Sequence, residues 1–379
     1  MHCKVAENCG GCVYRSLSQE IYRQQKTENF KKILTPLGKN FSLSVPIFID
    51  DSTRRRAALT FRYVKKKLTL GFNENHSDKV IDLDSCPLLT ARLNNVLPDI
   101  RRFIASICAI PYTVKKGKKL ISQHIVSGDV WLCEAQNGID VVLEYDAPLE
   151  LNHRMELFEQ VQSVSDIIRL SHRRHNSDVA EPIIEKAKPF IKIGNYDIYI
   201  PAGTFLQPSA EGQNTLTELV KKYLGDTEGR IADLFCGVGT FSYVLAGNIK
   251  NKITAVDSSV ELLRGFRESV NANQIPNIEI NLKNLFKYPL DAKELKDYVA
   301  VLLDPPRAGA AAQVKQLAEL EENIRPQKII MVSCNPNTFV NDAKCLIDGG
   351  YILKEVTMVD QFVYSNHSEL VALFTKKQS

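Results

Sequence analysis

The chain has 379 residues, 44% hydrophobic and 24% charged, a globular composition with length for two or three domains. No apolar run approaches the roughly 18 residues of a membrane span, and no apolar stretch follows Met1 as a secretory signal would. Nine cysteines, an odd count, argue against a disulfide framework and for a reducing, cytoplasmic setting. The net charge of +4 is too small to announce a nucleic-acid binder, but it is unevenly spread. Residues 1–200 carry 29 Lys and Arg against 23 Asp and Glu, whereas residues 201–379 carry 19 against 21. The excess lies in clusters: Arg54-Arg55-Arg56, Lys65-Lys66-Lys67, Arg101-Arg102, Lys115-Lys116-Gly117-Lys118-Lys119 and Arg173-Arg174. Such clusters point to a phosphate-binding surface.

In chain order, Cys3, Cys9 and Cys12 open the sequence as C-x5-C-x2-C, and Cys86-Pro87 follows far downstream. Four thiolates suit either zinc or an iron–sulfur cluster, and spacing alone does not separate the two. Leu17 to Leu34 is expected to be helical, with Ile21, Phe30, Ile33 and Leu34 as its buried stripe. Residues 57–72 alternate like a hairpin turning at Lys65-Lys66-Lys67. A helix from Thr90 to Ile107 follows, then strands at His124–Val126, Val130–Gln136, Val141–Tyr145 and Ile198–Ile200. The first half therefore reads as an α+β domain, 1–200.

From Pro201 the pattern changes. Short unalternated apolar runs, 231–235, 252–257, 299–304 and 328–333, alternate with helical stretches. That is the signature of parallel strands covered on both faces. The expected architecture for 201–379 is a doubly wound α/β sheet with ligands at the carboxyl ends of its strands. At the first such end stands Asp233-Leu234-Phe235-Cys236-Gly237-Val238-Gly239. Gly237 and Gly239 let a ligand approach the backbone. Asp257 ends the next strand, where a carboxylate can accept from both ribose hydroxyls, and Asp304 ends a later one. This combination resembles class I methyltransferases that use S-adenosylmethionine. A nicotinamide reading expects a fuller glycine fingerprint.

Ser333-Cys334-Asn335-Pro336-Asn337-Thr338 directly follows an apolar strand, so Cys334 faces the ligand crevice, where a thiolate is a strong nucleophile. Asp304-Pro305-Pro306-Arg307 reaches the same rim, and Glu369 in His367-Ser368-Glu369 precedes the last apolar strand as a proton acceptor. With Phe205-Leu206-Gln207 before the α/β domain, these motifs in this order resemble the RNA uracil-C5 methyltransferase family over essentially the whole chain. The resemblance implies that Cys334 is the nucleophile and Glu369 the general base. It implies cofactor contacts from Gln207, Phe235, Asp257, Asn284 and Asp304, and stacking of the target pyrimidine on Phe205. Asp257 departs from the longer Glu of many members. Many members also carry a [4Fe–4S] cluster on the four-cysteine pattern, which selects the cluster over zinc for Cys3, Cys9, Cys12 and Cys86. Cys108, Cys133, Cys236 and Cys345 are left to packing.

With Cys3 so near the start, the oligonucleotide-binding barrel that some larger relatives carry before these cysteines is not expected here. Shorter members with a cluster act on large-subunit ribosomal RNA, and others on transfer RNA. The implied partner is therefore RNA, ribosomal in the first instance, met through the basic clusters of 54–119, with no membrane and no obligate protein partner.

Overall fold

The computed structural model describes residues 3–177 and 179–377. The chain forms two compact units, and it does not divide at one point near Pro201. One unit comprises Met1–Ser16, Asp51–Ile191 and Tyr199–Ser209; the other comprises Leu17–Asp50, Lys192–Ile198 and Ala210–Ser379. Among the described residues no helix is long and apolar enough to cross a membrane.

The first unit is built on a seven-stranded sheet in the order 181–185, 167–173, 138–144, 127–135, 56–64, 67–73, 80–82. All neighbours are antiparallel except Ile167–Arg173 beside Gly138–Glu144. The strand Arg56–Val64 buries Ala57, Leu59 and Phe61 and turns its alternate residues outward, as period-two patterning requires. The helix Ala91–Ala109, capped by the Thr90 hydroxyl, packs against this sheet through Leu93, Val96, Ile100, Phe103 and Ile107. The expected hairpin is present, with Lys65 and Lys66 at positive φ, the twist a two-residue loop needs. A second ribbon, Pro111–Lys116 with Lys119–His124, forms a separate two-stranded antiparallel sheet. It replaces the short strand expected at His124–Val126.

The second unit is the expected doubly wound domain. Its main strands are β1 (Arg230–Leu234), β2 (Lys252–Asp257), β3 (Ile278–Leu282), β4 (Ala300–Leu303), β5 (Lys328–Ser333), β6 (Tyr351–Asp360) and β7 (Glu369–Lys376). They lie in the order β3-β2-β1-β4-β5-β7-β6. The first five are parallel, and β7 runs antiparallel between β5 and β6. Leu234, Val301, Leu303, Ile329, Met331 and Ala372 lie in one buried cluster with the helices above them.

The helix Gln19–Leu34 belongs to this second unit, although it lies in the half of the sequence read as a separate domain. Its buried stripe is Tyr22, Lys26, Phe30 and Leu34, with Ile21 exposed. Phe30 and Leu34 join the cluster that holds Phe339, Ala343 and Leu346. The following residues Ser42–Leu43 and Ile47–Phe48 extend the sheet alongside β6.

Candidate active site

The carboxyl edge of the second unit's sheet gathers the residues that the motifs single out. Asp233 near the end of β1 is fully buried; its Oδ2 accepts from the Ser242 hydroxyl, while Oδ1 has no partner among the described residues. Burial pushes this carboxyl up to about 7, so an acid proton on the orphan oxygen fits the site. Asp257 at the end of β2 pins the glycine turn: its Oδ2 accepts from Gly237 N at 2.9 Å and its Oδ1 from Ser259 N at 2.9 Å.

The two glycines divide their work. A Cβ on Gly239 (φ 85°) would strike the Phe266 ring at 2.2 Å, so that glycine serves packing within the protein. A Cβ on Gly237 (φ 56°) would meet nothing within 4 Å, leaving open space beside the turn. Phe235 also takes positive φ (64°), a strained conformation for a bulky residue, and its ring meets Phe286 at 5.3 Å. Asn284 lies just past β3, and its Oδ1 accepts from the backbone of Phe286 and Lys287.

Asp304 follows β4 and is pushed well above the usual carboxylate range by burial, then by Glu369, Asp233 and Asp257. Cys334 follows β5, and Asn335 caps the helix Pro336–Asp348 behind it. A helix N-terminus favours a thiolate. Here burial, with Glu369 and Asp304, outweighs that effect and the nearby Arg307, and the thiol is pushed up to about 11. Asn335 and Thr338 knit the two loops together, since both side chains donate to the carbonyl of Arg307, at 3.0 and 3.3 Å. Arg307 itself contacts His367 Nε2 at 2.7 Å.

Glu369 reaches this edge because β7 is antiparallel. Leu370 pairs with Ser333, so the first residue of β7 emerges where the parallel strands end. Burial lifts the Glu369 carboxyl to about 7, and a hydrogen bond from Gln361 Nε2 at 3.0 Å opposes that rise. Gln361 carried no motif in the sequence; the structure places it just past the end of β6.

Gln207 and Phe205 belong to the first unit. There Arg55 Nε donates to the Gln207 carbonyl at 3.0 Å, Arg56 Nη1 donates to Leu206 O at 2.9 Å, and the Arg56 guanidinium lies 4.1 Å over the Phe205 ring. The cluster Arg54-Arg55-Arg56 is therefore not a phosphate surface. Arg55 is buried, and Arg54 faces Cys12 and Cys86. Arg101 is likewise taken up, by Asp82 and the carbonyls of Leu70 and Leu83. Lys65, Lys66 and Lys67 and the ribbon-tip lysines Lys115, Lys116, Lys118 and Lys119 stay exposed.

The four motif cysteines lie within electrostatic reach of one another. Burial and the neighbouring thiols push Cys12 up to about 12 as a free thiol. Gly11 N lies 3.5 Å from Cys9 Sγ, and backbone N–H groups of Leu88 and Leu89 donate to Cys86. Asp129, Glu144 and His175 form a separate close group that the sequence did not suggest. Its charge is met internally, Glu144 by Arg173 and His175, and Asp129 by the Thr60 hydroxyl.

A glycine turn after the first parallel strand, acidic groups at successive strand ends and a β7 reversed within the sheet define a class I methyltransferase domain, with a cysteine added at its crevice. The family model described as tRNA (Uracil-5-)-methyltransferase matches residues 184–377. An uncharacterized RNA methyltransferase of Brucella melitensis is 34% identical over 99% of this chain and 84% of its own length. The 23S rRNA (uracil(1939)-C(5))-methyltransferase RlmD of Vibrio parahaemolyticus is 27% identical over 99% of this chain and 81% of its own. In fold, the chain resembles the crystal structure of Pyrococcus abyssi tRNA (uracil-54, C5)-methyltransferase in complex with S-adenosyl-L-homocysteine. That match has a TM-score of 0.72 and 23% identity, and covers 96% of this chain and 86% of the other. The chain belongs to the tRNA (uracil-5-)-methyltransferase family, whose members are S-adenosylmethionine-dependent RNA uracil-C5 methyltransferases.

Proposed function

We propose that this enzyme methylates C5 of a uridine in large-subunit ribosomal RNA, with Cys334 as nucleophile and Glu369 as general base, in the cytoplasm. The observation that carries the mechanism is the meeting of these two side chains at one sheet edge, close enough that Glu369 raises the thiol. Uracil C5 is a poor nucleophile. After the Cys334 thiol has lost its proton to solvent, addition of the thiolate to C6 breaks the C5=C6 π bond and places negative charge on C5 and O4. Arg307 stands at the rim as a donor for that oxygen. S-adenosylmethionine, when bound, would supply an electrophilic methyl to C5, its methyl–sulfonium bond breaking as the C5–methyl bond forms and S-adenosylhomocysteine leaving. Glu369 then takes the C5 proton, the double bond re-forms and the C6–S bond breaks.

The groups fit the cofactor. The acids Asp233, Asp257, Asp304 and Glu369 suit a cationic ligand, and Gly237 leaves space beside the turn. Asp257 keeps lone pairs for ribose hydroxyls, although both of its oxygens already accept backbone N–H groups. Phe235, Asn284, Asp304 and Gln207 are the further proposed contacts. The target base must leave its stack to reach Cys334. Phe205, 61% exposed and backed by Arg56, is the proposed stacking platform.

Cys3, Cys9, Cys12 and Cys86 are proposed to hold a [4Fe–4S] cluster, with zinc as the alternative. Cys86 is buried and Cys3, Cys9 and Cys12 are partly so; burial raises the thiols of Cys9, Cys12 and Cys86, whereas N–H groups directed at sulfur and the Arg54 charge favour thiolates. The cluster's role is structural, because the scheme transfers no electrons. Visible absorption of anaerobically purified protein separates cluster from zinc.

The ribosomal substrate is supported by the likeness to RlmD along the whole chain. The family description and the archaeal fold neighbour support transfer RNA as the second reading. Mapping 5-methyluridine in both RNAs from a strain lacking the protein decides between them: the missing methyl identifies the substrate.

A further inference from the structure

We propose that Gln361 is a positioning residue for this reaction, holding the Glu369 carboxylate ionised and aimed for removal of the C5 proton. The inference rests on the covalent mechanism above and adds a residue to it. Gln361 and Glu369 are 4% and 3% exposed, and the amide Nε2 donates to Glu369 Oε2 at 3.0 Å. Val359 pairs with Glu369 across β6 and β7, so Gln361, two residues on, lies on the same side and diagonal to the acid. A donor to a carboxylate favours its charged form, against the burial that favours the neutral one.

The donor's backbone is itself clamped. Asp360 accepts from Lys26 Nζ and Tyr22 Oη, both on the helix Gln19–Leu34, and all three side chains are buried. Lys26 also reaches Phe362 O at 3.4 Å, and Tyr364 N donates to Tyr22 Oη at 2.9 Å. Both ends of the segment that begins with Gln361 are thus fastened to that helix. The other groups facing Glu369 are Asp304 and Cys334, neither of them a cation. Arg307 and His367 pair with each other at the rim. Gln361 is the donor the structure sets on Glu369 itself.

The test separates proton removal from the steps before it. RNA carrying 5-fluorouridine accepts the sulfur and the methyl but has no C5 proton, so the methylated adduct with Cys334 persists. Gln361→Met keeps the side-chain volume and removes the donor. We expect kcat on natural RNA to fall about fivefold at pH 7 with KM unchanged. The acidic limb of the kcat profile should move up by about one pH unit, so that activity recovers in alkali. Adduct formation with 5-fluorouridine RNA should keep its native rate. A native pH profile in the variant, or loss of adduct formation in step with turnover, would overturn the inference while leaving the covalent mechanism in place. If the native enzyme forms no adduct, the covalent mechanism fails, and this role with it.

Discussion

Replacing Glu369 by Gln should stabilise the protein at the pH where it abolishes turnover. The carboxyl is 3% exposed, and burial lifts it from the ordinary 4.5 to about 7. Below pH 4.5 the acid is neutral in both folded and unfolded chains and costs nothing. Between 4.5 and 7 the unfolded chain releases the proton while the folded one keeps it. Stability then falls with rising pH by about 1.4 kcal/mol per unit. Above 7 the full cost, about 3 kcal/mol, is present. The amide of Gln has no proton to lose and still offers an oxygen to Gln361. Urea unfolding followed by far-UV circular dichroism, at pH 5 and pH 8, measures the difference. The variant should match the native protein within about 1 kcal/mol at pH 5 and exceed it by about 3 at pH 8. A difference that does not change with pH, or a variant less stable at pH 8, would refute the burial argument.

Four further outcomes follow from the packing and the charge distribution. Gly239→Ala, which forces a Cβ to 2.2 Å from Phe266 at positive φ, should destabilise the fold by roughly 3 kcal/mol or more in thermal unfolding. Gly237→Ala should cost only about 1–2 kcal/mol and show itself as weaker S-adenosylmethionine binding by calorimetry. Lys26→Met leaves Asp360 buried without its cation and should lower unfolding free energy by about 3–5 kcal/mol. Alanine at Lys115, Lys116, Lys118 and Lys119 together should lower RNA affinity and reduce the slope of log K against log salt by about 3.

The catalytic fold was legible because β1, β2, β4 and β5 are short, unalternated and apolar, a pattern few other environments produce. Cys334, Asp257 and Asp304 were legible because each directly follows or ends such a strand. What escaped depends on tertiary choice. The helix Gln19–Leu34 was visible, but its partner was not, and Lys26 concealed the true buried stripe by placing a charge in its middle. That charge is tolerated only because Asp360, more than three hundred residues away, meets it. Arg54, Arg55 and Arg56 read as a basic patch because sequence shows a charge and not the carbonyls it serves. Gln361 was invisible for the converse reason, since its meaning comes from a cross-strand diagonal that only the register of β6 and β7 creates.

The most direct test incubates the purified protein and its Cys334→Ala variant with S-adenosylmethionine and ribosomal or transfer RNA, then analyses the nucleosides by mass spectrometry. The account predicts 5-methyluridine with the native protein and none with the variant. A methyl on another base or on ribose, or undiminished 5-methyluridine from the variant, would contradict it.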